Sequence, residues 1–101
     1  MFSHVILGTN DIEESKVFYN ALLGALGANP GVIDDKGRLM FVHADRIFGL
    51  TPPIDGEPAT HGNGSTVGFS CDSSKQVDAW HAAGVANGGR SIEDPPGVRE
   101  S

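Results

Sequence analysis

Apolar and polar positions alternate at the start of the chain. Phe2, His4 and Ile6 fall on one side and Ser3, Val5 and Leu7 on the other, which is the period of a β-strand over 2–7. Gly8 and Thr9 end it. The period then changes. Val17, Phe18, Ala21, Leu22 and Ala25 recur three and four residues apart and predict one apolar face of a helix. Asp11 and Glu14 have capping-box spacing, and the acidic residues Asp11, Glu13 and Glu14 suit the positive end of the helix dipole. Gly27 stops the helix and Pro30 prevents its continuation. Three short extended segments follow, at Val32–Ile33, Leu39–Ala44 and Ile47–Thr51. The turn signal Asp34-Asp35-Lys36-Gly37 separates the first two, and Ala44-Asp45-Arg46 is short enough for a hairpin between the last two. Residues 2–52 therefore read as one β-α-β-β-β unit.

The pattern then repeats. Residues 4–27 and 66–89 align without a gap at a constant offset of 62, so that Val5 lies over Val67, Leu7 over Phe69, Phe18 over Trp80 and Gly27 over Gly89. A repeated unit is one supersecondary element used twice. The second copy predicts a strand at Thr66–Cys71 and a helix capped by Ser73 with Gln76, its buried face marked by Val77, Trp80, Gly84 and Val85. Gly88 and Gly89 end that helix, and Ser91–Glu93 reads as a short extended segment. The same offset puts two more strands at 101–106 and 109–113, past Ser101. The expected fold class is α+β, with tandem βαβββ modules, the first at 2–52 and the second, at 65–101, incomplete and ending in the tail 94–101. The Pro- and Gly-rich linker 53–64 is too short to separate independent domains, so 1–101 is expected to share one core.

Composition narrows the function classes. The net charge is −6, and the seven Lys and Arg residues are scattered, so no basic patch is available to hold a phosphate backbone and nucleic acid is not an expected partner. No stretch approaches the ~20 apolar residues of a membrane helix, and no charged segment precedes an apolar run at the start. With a single cysteine, Cys71, after an apolar run and unable to form an internal disulfide, the chain reads as cytoplasmic. No Gly-rich phosphate loop and no ordered Ser-His-Asp arrangement is present.

His4 on the first strand, followed by Asn10 to Glu13, Ser15, Phe18, Tyr19, Leu22 to Gly24, Leu26 and Gly27, resembles the vicinal oxygen chelate superfamily of glyoxalases, bleomycin-resistance proteins and extradiol dioxygenases. The second copy, VDAWHAAGVANGG followed by EDPPGVRE, is similar to the second module of small glyoxalase-like proteins. The resemblance implies two modules curled into a cradle around a cleft. It also implies a divalent metal held by a His on the first strand and a Glu on the last strand of each module. Carried over by position, His4 keeps the first ligand, the first Glu position falls near Gly49, the second His position is Thr66, and the second Glu lies beyond this chain. One ligand of four does not hold a metal, because a protein site requires three or more side chains. No tightly bound metal is expected at that position.

The cleft candidates are His4, Ile6, Phe41, Phe48, Phe69 and Thr66, an apolar set with few polar groups. Trp80 and Phe18 share a repeat position and read as core anchors. His43 reads as a solvated strand-end residue, His61 as a linker residue and His81 as lying on a helix outside the sheet. Two function classes follow from the resemblance. One is a small-molecule binding protein of the bleomycin-resistance type without the family metal. The other is a metal-dependent lyase or dioxygenase using Zn, Ni, Mn or Fe. The missing ligands favour the first. The open sheet edge that an incomplete module leaves, together with the resemblance, leads to an expected homodimer.

Overall fold

The computed structural model describes residues 1–93 and 95–98. Its elements are β1 (His4–Gly8), α1 (Ile12–Gly24), β2 (Val32–Ile33), β3 (Leu39–His43), β4 (Arg46–Thr51) and α2 (Ser74–Ala86). The four strands form one sheet in the order β1-β4-β3-β2, with β1 parallel to β4 and the other pairs antiparallel. The first repeat is thus the β-α-β-β-β unit that the periodicity predicts. The first strand begins at His4, two residues later than the alternation alone placed it.

Register fixes which side chains share a face, since partners across a sheet point the same way. Val5, Phe48 and Phe41 lie in one row, and Leu7, Leu50, Leu39 and Ile33 in the next. This face meets α1. Leu23 of α1 joins Leu39, Phe41, Phe48 and Leu50 in the buried core, with Tyr19, Ile12 and Leu26 packed around them. Burial pushes the Tyr19 phenol above its ordinary pKa of 10.0.

The opposite face carries His4, Ile6, Met40, Val42, Ile47 and Gly49. There the ideal Cβ of Gly49 would lie 2.6 Å from the Met40 sulfur, so the thioether fills the space a side chain at 49 would need.

The helices keep the repeat's offset of 62 at both ends and at the caps. Asp11 Oδ1 accepts from Glu14 N at 3.0 Å, and Ser73 Oγ accepts from Gln76 N at 3.1 Å. The glycine stops beyond the helices, by contrast, drift by one residue. Ala28 N donates to Leu23 O past Gly27 (φ 90), whereas Gly89 N donates to Gly84 O past Gly88 (φ 107). Both are left-handed glycine caps.

α1 presents a second pair, Phe18 and Leu22, to α2, and Gly84 allows the approach: a Cβ there would meet Leu22 Cδ1 at 3.0 Å. The buried faces are therefore rotated from the sequence expectation. Val17 and Val85 are exposed, while Leu22 and Leu23 are buried. Sheet and neighbouring helix occupy different sides of α1, and a single apolar stripe does not describe two contacts.

Two expected strands are not formed. Thr66–Cys71 is irregular, and no backbone hydrogen bond joins it to the sheet; Ser91–Glu93 is likewise not a strand. Extended apolar sequence becomes a strand only when a neighbour takes up its N–H and C=O groups. Of the tail 94–101, residues 94 and 99–101 lie outside the described residues. The segment 66–71 is instead held by side chains. Phe69 packs on Phe48 and Trp80, with ring centroids 5.1 and 6.3 Å away. The Trp80 indole N–H is buried without a hydrogen-bond partner among the described residues. The linker is pinned by Asn10, whose amide donates to Ala59 O at 3.1 Å and accepts from Ala59 N at 2.7 Å.

Candidate functional site

The end of the core where α1 stops is open. α1 gives way after Gly24 while β3 and β4 continue to their hairpin, so the apolar sheet face there lacks a helix above it. A cavity of about 620 Å³ results. Its walls are Val5, Phe41 and Phe48 from the sheet, Leu23, Leu26 and Ala28 from the end of α1, and Val67 and Phe69 from the unpaired segment. Ser3, His4, His43, Arg46, Ser70 and Asp72 provide polar groups. The lining is mostly apolar, with a few polar groups.

The hairpin positions two of those groups. Ala44 and Asp45 both have positive φ (50° and 62°), the type I′ turn that matches strand twist. The tight turn makes His43 and Arg46 direct register partners. Arg46 is two residues from Phe48 and His43 two from Phe41, so both project on the same side as those rings. The Arg46 guanidinium makes one hydrogen bond, from Nη1 to Asp45 O at 3.3 Å, and takes part in no ion pair among the described residues. His4 Nδ1 lies 2.7 Å from Ser3 Oγ.

The structure brings together four of the six residues named from the sequence: His4, Phe41, Phe48 and Phe69. Phe41, Phe48 and Phe69 meet on the helix side of the sheet, not on the concave face, whereas His4, which also lines the cavity, sits in the row of Ile47 on the opposite face. Phe41 and Phe48 are largely buried, 2% and 8% exposed. Ile6 points to the opposite face beside Gly49 and Met40, and Thr66 is exposed in the irregular segment; neither lines the cavity. Arg46, Leu23 and Leu26 were missed. His43 is exposed, as a strand-end residue should be, and lines the cavity as well. His61 is exposed in the linker, and His81 is half-buried with Nε2 3.4 Å from Ser91 Oγ. Cys71 is a half-buried free thiol.

The donors do not fit a metal. Among the described residues no three His, Cys, Asp or Glu side chains converge. The position of the first family glutamate is a glycine whose side-chain space Met40 occupies.

Strand order 1-4-3-2 with one helix between the first two strands, and a second capped helix packed beside it, defines an α+β βαβββ-module protein. The family model of the glyoxalase/bleomycin resistance protein/dioxygenase superfamily matches residues 1–99, and the chain belongs to that superfamily. It is similar to a glyoxalase/bleomycin resistance protein from Albidiferax ferrireducens T118, with 57% identity and a TM-score of 0.93 over 98% of this chain and 79% of that one. Its fold is also similar to that of lactoylglutathione lyase from Agrobacterium tumefaciens, with 21% identity and a TM-score of 0.55 over 85% of this chain and 69% of that one. No curated protein matches the chain. No helix among the described residues is long and apolar enough to cross a membrane.

Proposed function

We propose that this protein is a small-molecule binding protein of the glyoxalase/bleomycin-resistance type that works without the family metal, and that its ligand occupies the cavity at the end of α1. The observation that carries this reading is the convergence of Phe41, Phe48 and Phe69 with a few polar groups around about 620 Å³. The donor set supports the metal-free part, since His4 has no converging partners among the described residues. Ser3 Oγ and His4 Nδ1 lie 2.7 Å apart at the cavity, but the pair is exposed and no carboxylate hydrogen-bonds to the imidazole among the described residues, so binding rather than a reaction step is the reading the geometry supports.

The test is a titration with a neutral two-ring aromatic, 2-naphthol, followed by amide chemical shifts. Shifts confined to residues around Leu23, Phe41, Phe48 and Phe69 are expected. Absence of any shift at millimolar probe would remove the reading. Metal analysis after dialysis is expected to show well under one equivalent; about one equivalent of Zn, Ni, Mn or Fe would favour the metal-dependent lyase or dioxygenase instead.

The same reading takes the protein as a cytoplasmic homodimer. Val32, Val42 and Ile47, exposed by 68%, 65% and 38%, lie on the sheet face away from α1, and β1 has a free edge. Exposed apolar surface beside an open edge is what a second copy covers.

A further inference from the structure

Resting on the cavity reading above, we infer that the ligand class is a monoanionic aryl carboxylate, held with its ring among Phe41, Phe48 and Phe69 and its carboxylate at Arg46 and His43. The two polar residues are a directly opposed cross-strand pair, and such pairs have Cβ atoms about 5 Å apart. Strand alternation aims both to the side on which Phe41 and Phe48 lie. The guanidinium has no carboxylate within ion-pair distance among the described residues, so its fork is available. A planar fork of N–H donors matches a planar carboxylate with two parallel hydrogen bonds. Arg46 is the cavity's one Lys or Arg side chain among the described residues, and the chain carries −6 overall. Asp72, on the part of the lining contributed by the 67–72 segment, adds a local negative charge. A multiply charged anion is therefore repelled, while a single carboxylate at the Arg46 end is not.

The experiment compares three probes of one shape by calorimetry: naphthalene-2-carboxylate, naphthalene-2-carboxamide and 2-naphthylmethylamine. The carboxylate is expected to bind about tenfold more tightly than the amide, and the amine most weakly, since charge-assisted hydrogen bonds are roughly twice as strong as neutral ones. In Arg46→Gln the advantage of carboxylate over amide is expected to vanish while amide affinity stays. Arg46 is exposed at a hairpin, so folding should survive, and an unchanged near-UV spectrum checks that. Raising salt should weaken the carboxylate selectively. If the amide binds as well as the carboxylate, or the amine binds best, the carboxylate inference fails and the cavity reading stands. If Arg46→Gln leaves the preference intact, the assignment to Arg46 fails. If none of the three probes binds, the cavity reading itself fails.

Discussion

Phe48 and Phe69 meet edge to face, ring centroids 5.1 Å apart and planes at 81°. Phe48 belongs to β4, at the heart of the sheet, and Phe69 to a segment with no strand partner, so this contact joins the two repeats. It continues a line of rings from Phe18 through Tyr19 to Phe48, and from Phe69 to Trp80. Edge-to-face pairs add about 1 kcal/mol beyond the area they bury. Among the described residues no backbone–backbone hydrogen bond holds residues 66–71, and this side chain anchors them.

Phe69→Ala should therefore do more than a half-buried truncation elsewhere. A loss of about 2 kcal/mol in urea unfolding is expected, below the range for fully buried Phe. The mutation also removes one wall of the cavity, so 2-naphthol affinity should drop several-fold. Retained affinity with lost stability would mean that the ligand lies elsewhere.

The β3–β4 turn offers a change of opposite sign. Ala44 has φ 50, a left-handed conformation in which its Cβ approaches the following carbonyl. Asp45, at φ 62, tolerates this better because Asp and Asn visit that region. Ala44→Gly relieves the strain at the cost of a more flexible unfolded chain. Relief should win, because the type I′ turn demands positive φ at both central positions. A gain of about 0.5–1 kcal/mol is expected in denaturant unfolding, with the His43–Arg46 pairing and the carboxylate preference unchanged.

Asp34 is expected to contribute to the acid limb of stability. Its carboxylate accepts backbone N–H bonds from Arg38 and Lys36, both at 2.9 Å, and the Arg38 Nε–H at 2.7 Å. The backbone bond from Arg38 is the leading cause that holds its pKa below the ordinary 3.8. The folded state thus favours the charged form. Its stabilisation is fully present above the unfolded value and is lost as pH falls through the folded one. The urea midpoint of the native protein should decline below about pH 4. In Asp34→Asn the decline should be shallower, from a lower starting stability. Equal slopes in the two proteins would show that other carboxylates set the acid limb.

The first module and both helices were legible in the sequence for a physical reason. Helical spacing with a cap is a local signal, and Asp11 with Glu14 and Ser73 with Gln76 supply it twice. The segment at Thr66–Cys71 was misread because alternation says that a chain is able to form a strand, not that a partner exists. The side of the sheet that meets the helix was also hidden. β3 is apolar on both faces, Leu39 and Phe41 on one and Met40 and Val42 on the other, so its pattern names no face. Phe41, Phe48 and Ile6 were consequently grouped, whereas the sheet separates Ile6 from the other two. Arg46 went unnoticed because a charged residue beside a turn reads as solvated. Its distance of two from Phe48, together with the two-residue turn opposite His43, was the available signal.

Val42 and Val32 test the homodimer. They lie on the face that α1 does not cover, in adjoining rows, and are 65% and 68% exposed. Burying two such side chains stabilises an interface by about 1.5–3 kcal/mol each relative to leaving them in water. Placing lysines there puts like charges against each other across any two-fold interface built on this face. The Val32→Lys, Val42→Lys double variant is expected to elute with the mass of a single 10.6 kDa chain, and the native protein with twice that, at micromolar concentration in light scattering. Neither residue belongs to the core cluster, so the variant should unfold with the cooperativity of a folded monomer. A native protein that already runs as a monomer would leave the apolar face uncovered and remove the homodimer from the proposal.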